Sequence, residues 1–324
     1  MISKLFFILL GSAIALHHIS PAQLSRESQK GVLCWDFNFD TKGKAAAGAT
    51  VFHLHTPKVA GCSVVEDLSA MVGRDHIFTH EACFAASMDA NGSSYFKDRV
   101  TMVRRPRDHV FSMYEFCDQA TDPLYRMIAG SEQKLEGQAN YKLPDTFGKW
   151  IDEWHKTPRF GDYDIYEDDE ACYCPYNMQA ARLACLTTNG PARECHETVD
   201  LDRALKSLDE TTMLGVTEAY HESMCLFHGH LLGSLPDDCN CESPAWATYH
   251  ETKDTHGEHY NQTIDDMPPD VIQKVDDMTK SDKVIYKAAV QRFIKDVEAM
   301  EQRFKVKILC SAQREMLHQK AGSA

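Results

Sequence analysis

Two strand-to-helix turns hold the residues best placed to do chemistry. Val51 to Ser63 reads VFHLHTPKVAGCS. An apolar run leads into Pro57 and Lys58; then Val59, Ala60, Gly61, Cys62 and Ser63 open helix-forming sequence. Amides in such a turn point at the mouth of the following helix, whose N-terminal end favours anions. Lys58 adds a full positive charge and Ser63 a hydroxyl donor. Pro57 stiffens the bend, and Gly61 lets backbone approach a ligand closely. Val100 to Tyr114 reads VTMVRRPRDHVFSMY. A second apolar run ends at Arg104 and Arg105, Pro106 opens a helix, and Ser112 lies two turns along it. A strand-end arginine pairs with phosphate oxygens, and a serine on the next helix adds a hydroxyl. Two such turns in one unit suit a ligand with two separated phosphate-like groups.

The elements that must position these turns follow from periodicity. Strands are expected at Val51 to His55, His76 to His80, Val100 to Val103 and Met213 to Thr217. Helices are expected at Ser63 to Met71, Arg107 to Cys117, Asp145 to Lys156, Tyr176 to Leu186, Asp200 to Leu208 and Glu218 to Leu232. A last one begins at Ser281, where Tyr286, Val290, Phe293, Val297, Met300 and Phe304 form a core stripe. Residues 244–269 read as irregular, and 311–324 as a polar tail. Strands alternating with helices imply an α/β fold, a mainly parallel sheet flanked by helices on both faces. Ligands of such sheets bind at the carboxyl ends of the strands, which is where both turns lie.

The chain has 324 residues, 43% hydrophobic and 25% charged, enough for a substantial core. Its net charge of -14 argues against nucleic acid as a partner, since that needs a basic face. The basic residues Lys97, Arg99, Arg104, Arg105 and Arg107 nevertheless cluster. At the N-terminus Lys4 precedes an apolar run, Leu5 to Leu16, shorter than the about 20 residues that span a bilayer. Residues 1–22 read as a signal peptide or a signal anchor that would tie the chain to a membrane, and 23–48 as a stem. Twelve cysteines suit disulfides in an oxidising lumen, with metal binding by the close Cys pairs as the competing reading. Asn91-Gly-Ser and Asn261-Gln-Thr are glycosylation sequons.

The first turn is not a nucleotide-kinase P-loop, which needs Lys directly before the Ser or Thr; here Cys62 precedes Ser63. It resembles instead the 5′-phosphosulfate loop of sulfotransferases that use 3′-phosphoadenosine 5′-phosphosulfate (PAPS), in the Golgi carbohydrate branch that includes the heparan 2-O, 6-O and chondroitin types. Val59 and Cys62 stand where that loop usually has Thr. The second turn resembles the family's 3′-phosphate motif through Arg104, Pro106, Ser112 and Tyr114. Arg105 replaces the usual Asp, and His109 sits where a second Arg is common. Weaker likenesses lie at Asn177-Met-Gln179-Ala-Ala-Arg182 and at Leu214 to Glu218.

The resemblance implies a P-loop-NTPase-like sulfotransferase domain over 49–310, PAPS as co-substrate, no metal, and a carbohydrate acceptor in the Golgi lumen or secreted space. The donor site would comprise Pro57, Lys58, Val59, Ala60, Gly61, Cys62, Ser63, Arg104 and Ser112. Lys58 would act in catalysis by stabilising the departing phosphate oxygen, and His80 would be the general base, with Glu81 as its alternative. A catalytically inactive binding relative and a P-loop kinase are the competing classes. Neutral glycans, glycolipids and tyrosine all stay open as acceptors.

Overall fold

The computed structural model describes residues 49–80, 83–88, 93–120, 146–156, 173–185, 197–252 and 263–323, with backbone alone at 80, 117–120 and 250–252. The leader and stem, Glu81, Asn91 and Asn261 lie outside them. Strands β1 (Val51–Leu54), β2 (Ile77–His80), β3 (Asp98–Val103) and β4 (Met213–Val216) form one sheet in the order β2-β1-β3-β4. All three pairings are parallel, with Leu54 level with both His80 and Thr101. Every residue of β1 is buried, the polar His53 included, as expected of an inner strand of a parallel sheet covered on both faces. The chain is therefore an α/β protein with an all-parallel sheet packed against helices.

The strand order determines where a ligand could sit. From β1 the chain moves one way to β2; it then crosses back over β1 to β3 and continues to β4. Right-handed crossovers running in opposite directions put their helices on opposite faces. The loops leaving β1 and β3 thus diverge, and the crevice between them is the topological switch point where ligands of open parallel sheets bind.

Helix α1 (Gly61–Val72) follows β1, and α2 (Pro106–Ala120) follows β3. Next come α3 (Phe147–Lys156), α4 (Met178–Ala184) and α5 (Leu201–Glu210). The Asp200 side chain caps α5 by accepting from the Arg203 amide at 3.0 Å. After β4 come α6 (Tyr220–Leu232), α7 (Pro244–Thr252), α8 (Pro269–Met278), α9 (Lys280–Phe304) and α10 (Ser311–Ser323). Helix α1 packs on α6, whereas α4 and α5 pack on each other and on α9. The expected stripe on α9 is core: Tyr286, Val290, Phe293, Val297 and Met300 are all buried. A second apolar cluster forms away from the sheet, where Trp150, Ile151 and Trp154 of α3 meet α2 and α8.

Two expectations need correction. The stretch read as irregular begins with a helix, α7, started by Ser243, whose hydroxyl accepts from the Trp246 amide at 3.1 Å. The polar tail is the helix α10; its Leu317 is fully buried, and Lys320 reaches Asp108 at 3.1 Å.

Disulfides join Cys83 to Cys185, Cys225 to Cys239 and Cys241 to Cys310. They place the folded chain in an oxidising, extracytoplasmic compartment. Cys62 and Cys174 are also disulfide-bonded. Among the described residues no helix is long and apolar enough to cross a membrane.

Candidate functional site

The turn after β1 has an unusual backbone. Lys58 (φ 63) and Ala60 (φ 65) both adopt the left-handed conformation, and among the described residues only Asn177 and Lys305 are other non-glycine residues that do so. Each such residue costs about 1–2 kcal/mol, so the surroundings must enforce the shape. Val59, between them, is fully buried in the sheet core. Driving that one apolar side chain inward turns the residues on either side into αL. Val59 therefore offers a ligand its main chain only, which accounts for an apolar residue where a hydroxyl was expected.

Helix α1 then starts without a side-chain cap at Ala60. Its first intrahelical bond runs from the Val64 amide to Ala60 O at 3.0 Å. The amides of Gly61, Cys62 and Ser63 have no acceptor within the helix, the usual state of a helix start. They carry the positive end of the helix dipole at the carboxyl edge of the sheet.

Gly61 is required here by a close contact within the protein. Its φ is not positive; instead, a Cβ there would lie 1.7 Å from His55 Cδ2. The absent side chain makes room for the His55 ring, which packs against the turn. Cys62 is exposed and Ser63 half-buried, whereas Pro57 is buried.

The second turn meets the first. Arg104 Nη1 donates to Lys58 O at 3.2 Å. His109, one turn into α2 and fully buried, donates from Nε2 to Pro57 O at 2.7 Å. Burial lowers its pKa to about 3, assisted by the charges of Arg104, Lys58 and Arg182. The imidazole is thus a neutral strut between the two turns, ringed by cations. Arg182 comes from α4 and is buried. Lys58 Nζ lies over the Phe116 ring, 4.7 Å from its centroid. In a chain of net charge -14, this convergence of Lys58, Arg104 and Arg182 on one imidazole is a local positive field.

The neighbouring arginines behave differently. Arg105 makes a bidentate pair with Asp265, both bonds 2.9 Å, and lies 3.6 Å from Asp108. Its amide donates to Glu218 Oε1 at 2.8 Å, and the Tyr286 hydroxyl donates to Glu218 Oε2 at 3.2 Å. Burial raises the Glu218 pKa, while the Arg105 amide, its own amide and the charge of Lys320 oppose the rise. Arg107 pairs with Asp276 at 2.7 Å. Lys97 and Arg99 lie at the other end of β3, where Arg99 meets Glu210 at 3.7 Å. The basic cluster of the sequence is thus divided, and Arg104 is the member that faces the Lys58 turn.

Ser112 is on the same helix as His109 and only 1% exposed, so its hydroxyl lies beneath the surface of the site. His80 ends β2 level with Leu54, at the same carboxyl edge; Glu81 lies outside the described residues.

The sequence did not show which partners hold the second turn in place. Gln179 of α4 brackets the Arg104 main chain, accepting from its amide and donating to its carbonyl, each at 2.9 Å. Asp282, fully buried on α9, accepts from the amides of Gln179 (3.3 Å) and Ala180 (2.7 Å). Burial raises the Asp282 pKa to about 7 against those stabilising bonds. The pattern Asn-x-Gln-x-x-Arg was visible at positions 177–182; what Gln179 would touch was not.

Chemically, the arrangement offers amides, one lysine and arginines around a strained turn at a switch point. That suits an extended polyanion, gripped at one group by the α1 mouth and at another by Arg104. No protein-family model, curated protein or solved structure matches the chain.

Proposed function

We propose that the chain is a sulfotransferase that moves a sulfonyl group from PAPS to a hydroxyl of a carbohydrate acceptor, glycan or glycolipid. The observation that carries this reading is the meeting of the two turns at the switch point, with Arg104 bonded to Lys58 O and the left-handed residues Lys58 and Ala60 shaping the α1 mouth. The amides of residues 61–63 and Lys58 would hold the 5′-phosphosulfate. Arg104 would take the 3′-phosphate, with the Ser112 hydroxyl as a second donor to it.

In the reaction the acceptor oxygen attacks sulfur in line. A new O–S bond forms, and the bond between sulfur and the 5′-phosphate oxygen breaks. Its electron pair leaves with adenosine 3′,5′-bisphosphate, and Lys58 stabilises the charge gathering on that oxygen. The acceptor proton passes to His80, with Glu81 as the alternative base. Positioning and charge stabilisation supply most of the acceleration, as in phosphoryl transfer. The disulfides fit a lumenal enzyme, which we place in the Golgi lumen, anchored through residues 1–22, or secreted.

The test is comparative. Adenosine 3′,5′-bisphosphate at hundredfold excess over its Kd should stabilise the protein by about 2.7 kcal/mol, and ATP should do much less. Labelled PAPS offered with a panel of desulfated glycans should then yield a labelled product. Stabilisation by ATP alone would favour a kinase; bisphosphate binding with no transfer to any acceptor would identify an inactive relative.

A further inference from the structure

We infer that Gln179 is a positioning residue for Arg104, its side-chain amide fixing the Arg104 main chain at the height where the guanidinium meets the Lys58 turn. The inference rests on the reading of Arg104 as a phosphate contact.

The need for such a residue comes from the sheet. The β3–β4 ladder ends at the pair Val103 and Val216. Arg104 is the next residue, so its amide and carbonyl have left the sheet just where the arginine must be held still. Gln179 supplies both missing partners at 2.9 Å. A primary amide is the side chain that donates and accepts from neighbouring atoms. It continues the strand pattern by one residue without a strand.

The clip is itself immobilised. Gln179 is 2% exposed, and Asp282 binds its amide and the next one, holding the start of α4 from α9. Asn177 adds two ties to the same region: its Oδ1 accepts from the Ser281 amide at 2.8 Å, and its own amide donates to Met278 O at 3.2 Å. Support therefore runs from the α8–α9 junction, through the first turn of α4, to the end of β3. From there Arg104 Nη1 reaches the Lys58 carbonyl. A residue that orients a binding group in this way changes affinity through that group alone.

A double-mutant cycle tests this with adenosine 3′,5′-bisphosphate as the probe, measured by calorimetry on the full chain. Gln179→Ala should weaken binding about tenfold. In the Arg104→Ala background the same change should cost nothing further, because the group it orients is gone. Equal losses in both backgrounds, or unchanged affinity in the wild-type background, would overturn the inference. If Gln179→Ala does not fold, Gln179→Glu replaces it in the cycle. That side chain keeps the bond from the Arg104 amide but sets oxygen against the Arg104 carbonyl, and the same non-additive loss is expected. A wild-type protein that binds no bisphosphate would refute the proposed function itself, and the positioning role with it.

Discussion

The turns after β1 and β3 stand side by side yet are held by opposite means. The first is shaped from within: Val59 is pulled into the core, Lys58 and Ala60 become left-handed, and bonds from His109 to Pro57 O and from Arg104 to Lys58 O steady the result. The second is unstrained and clamped from outside, by Gln179 on Arg104 and by Glu218 and Asp265 on Arg105. The strained turn presents main chain; the clamped turn presents a side chain. Two adjacent arginines consequently differ: Arg104 is aimed by its backbone, whereas Arg105 is neutralised as part of the clamp.

This contrast can be broken first at Lys58. Lys58→Ala should lower turnover with labelled PAPS by about a hundredfold or more, with little change in melting temperature, since the half-buried Lys58 enters the turn through its main chain. Near-normal turnover would remove Lys58 from the chemistry. His80→Ala should also abolish most turnover while bisphosphate binding persists.

The two arginines sharpen the comparison. Arg104→Ala should weaken bisphosphate binding by about one to two orders of magnitude and leave stability largely unchanged. Arg105→Ala should do the reverse, costing about 1–2 kcal/mol in denaturant unfolding, a figure discounted for the solvent exposure of Asp265. If both variants lose binding equally, the division between ligand contact and clamp is wrong.

The smallest effect concerns pH. Burial raises the Asp282 pKa to about 7 in the folded chain, above its value in the unfolded one. Between those values the folded state binds more protons, so stability is greatest at the acid side and falls as pH rises toward about 7. Glu222, raised by burial to about 7 as well, contributes a slope of the same sign. Asp282→Asn should therefore reduce, not abolish, the loss of stability from about pH 5 to pH 8. An unchanged slope would show that Asp282 titrates normally.

Much of the framework was legible because it is local. The strands at Val51 and Val100, the capped helix after Asp200 and the stripe on α9 each announce themselves through neighbouring residues. Helices α7 and α10 did not. No described residue of α7 is fully buried, and in α10 only Leu317 is, so neither has an apolar face for periodicity to detect. The start signal Ser243-Pro244 was nevertheless present for α7. At the site, the two turns could be seen in the sequence, but their fastenings could not. Asp265 lies 160 positions from Arg105, and Gln179 lies 75 from Arg104. The reason for Gly61 was equally hidden, since it depends on where the His55 ring comes to rest.

The bond between Cys83 and Cys185 has a practical side. It ties the segment just after β2 to the residue that follows α4, the helix that carries both Gln179 and Arg182. Protein produced in a bacterial cytosol would lack this tether, leaving the helix held by its packing and by the hydrogen bonds at its first turn. Assays on such material would report a loosened setting for Arg104, so oxidative expression, through a periplasmic or eukaryotic secretion route, is the starting condition for testing the proposed activity.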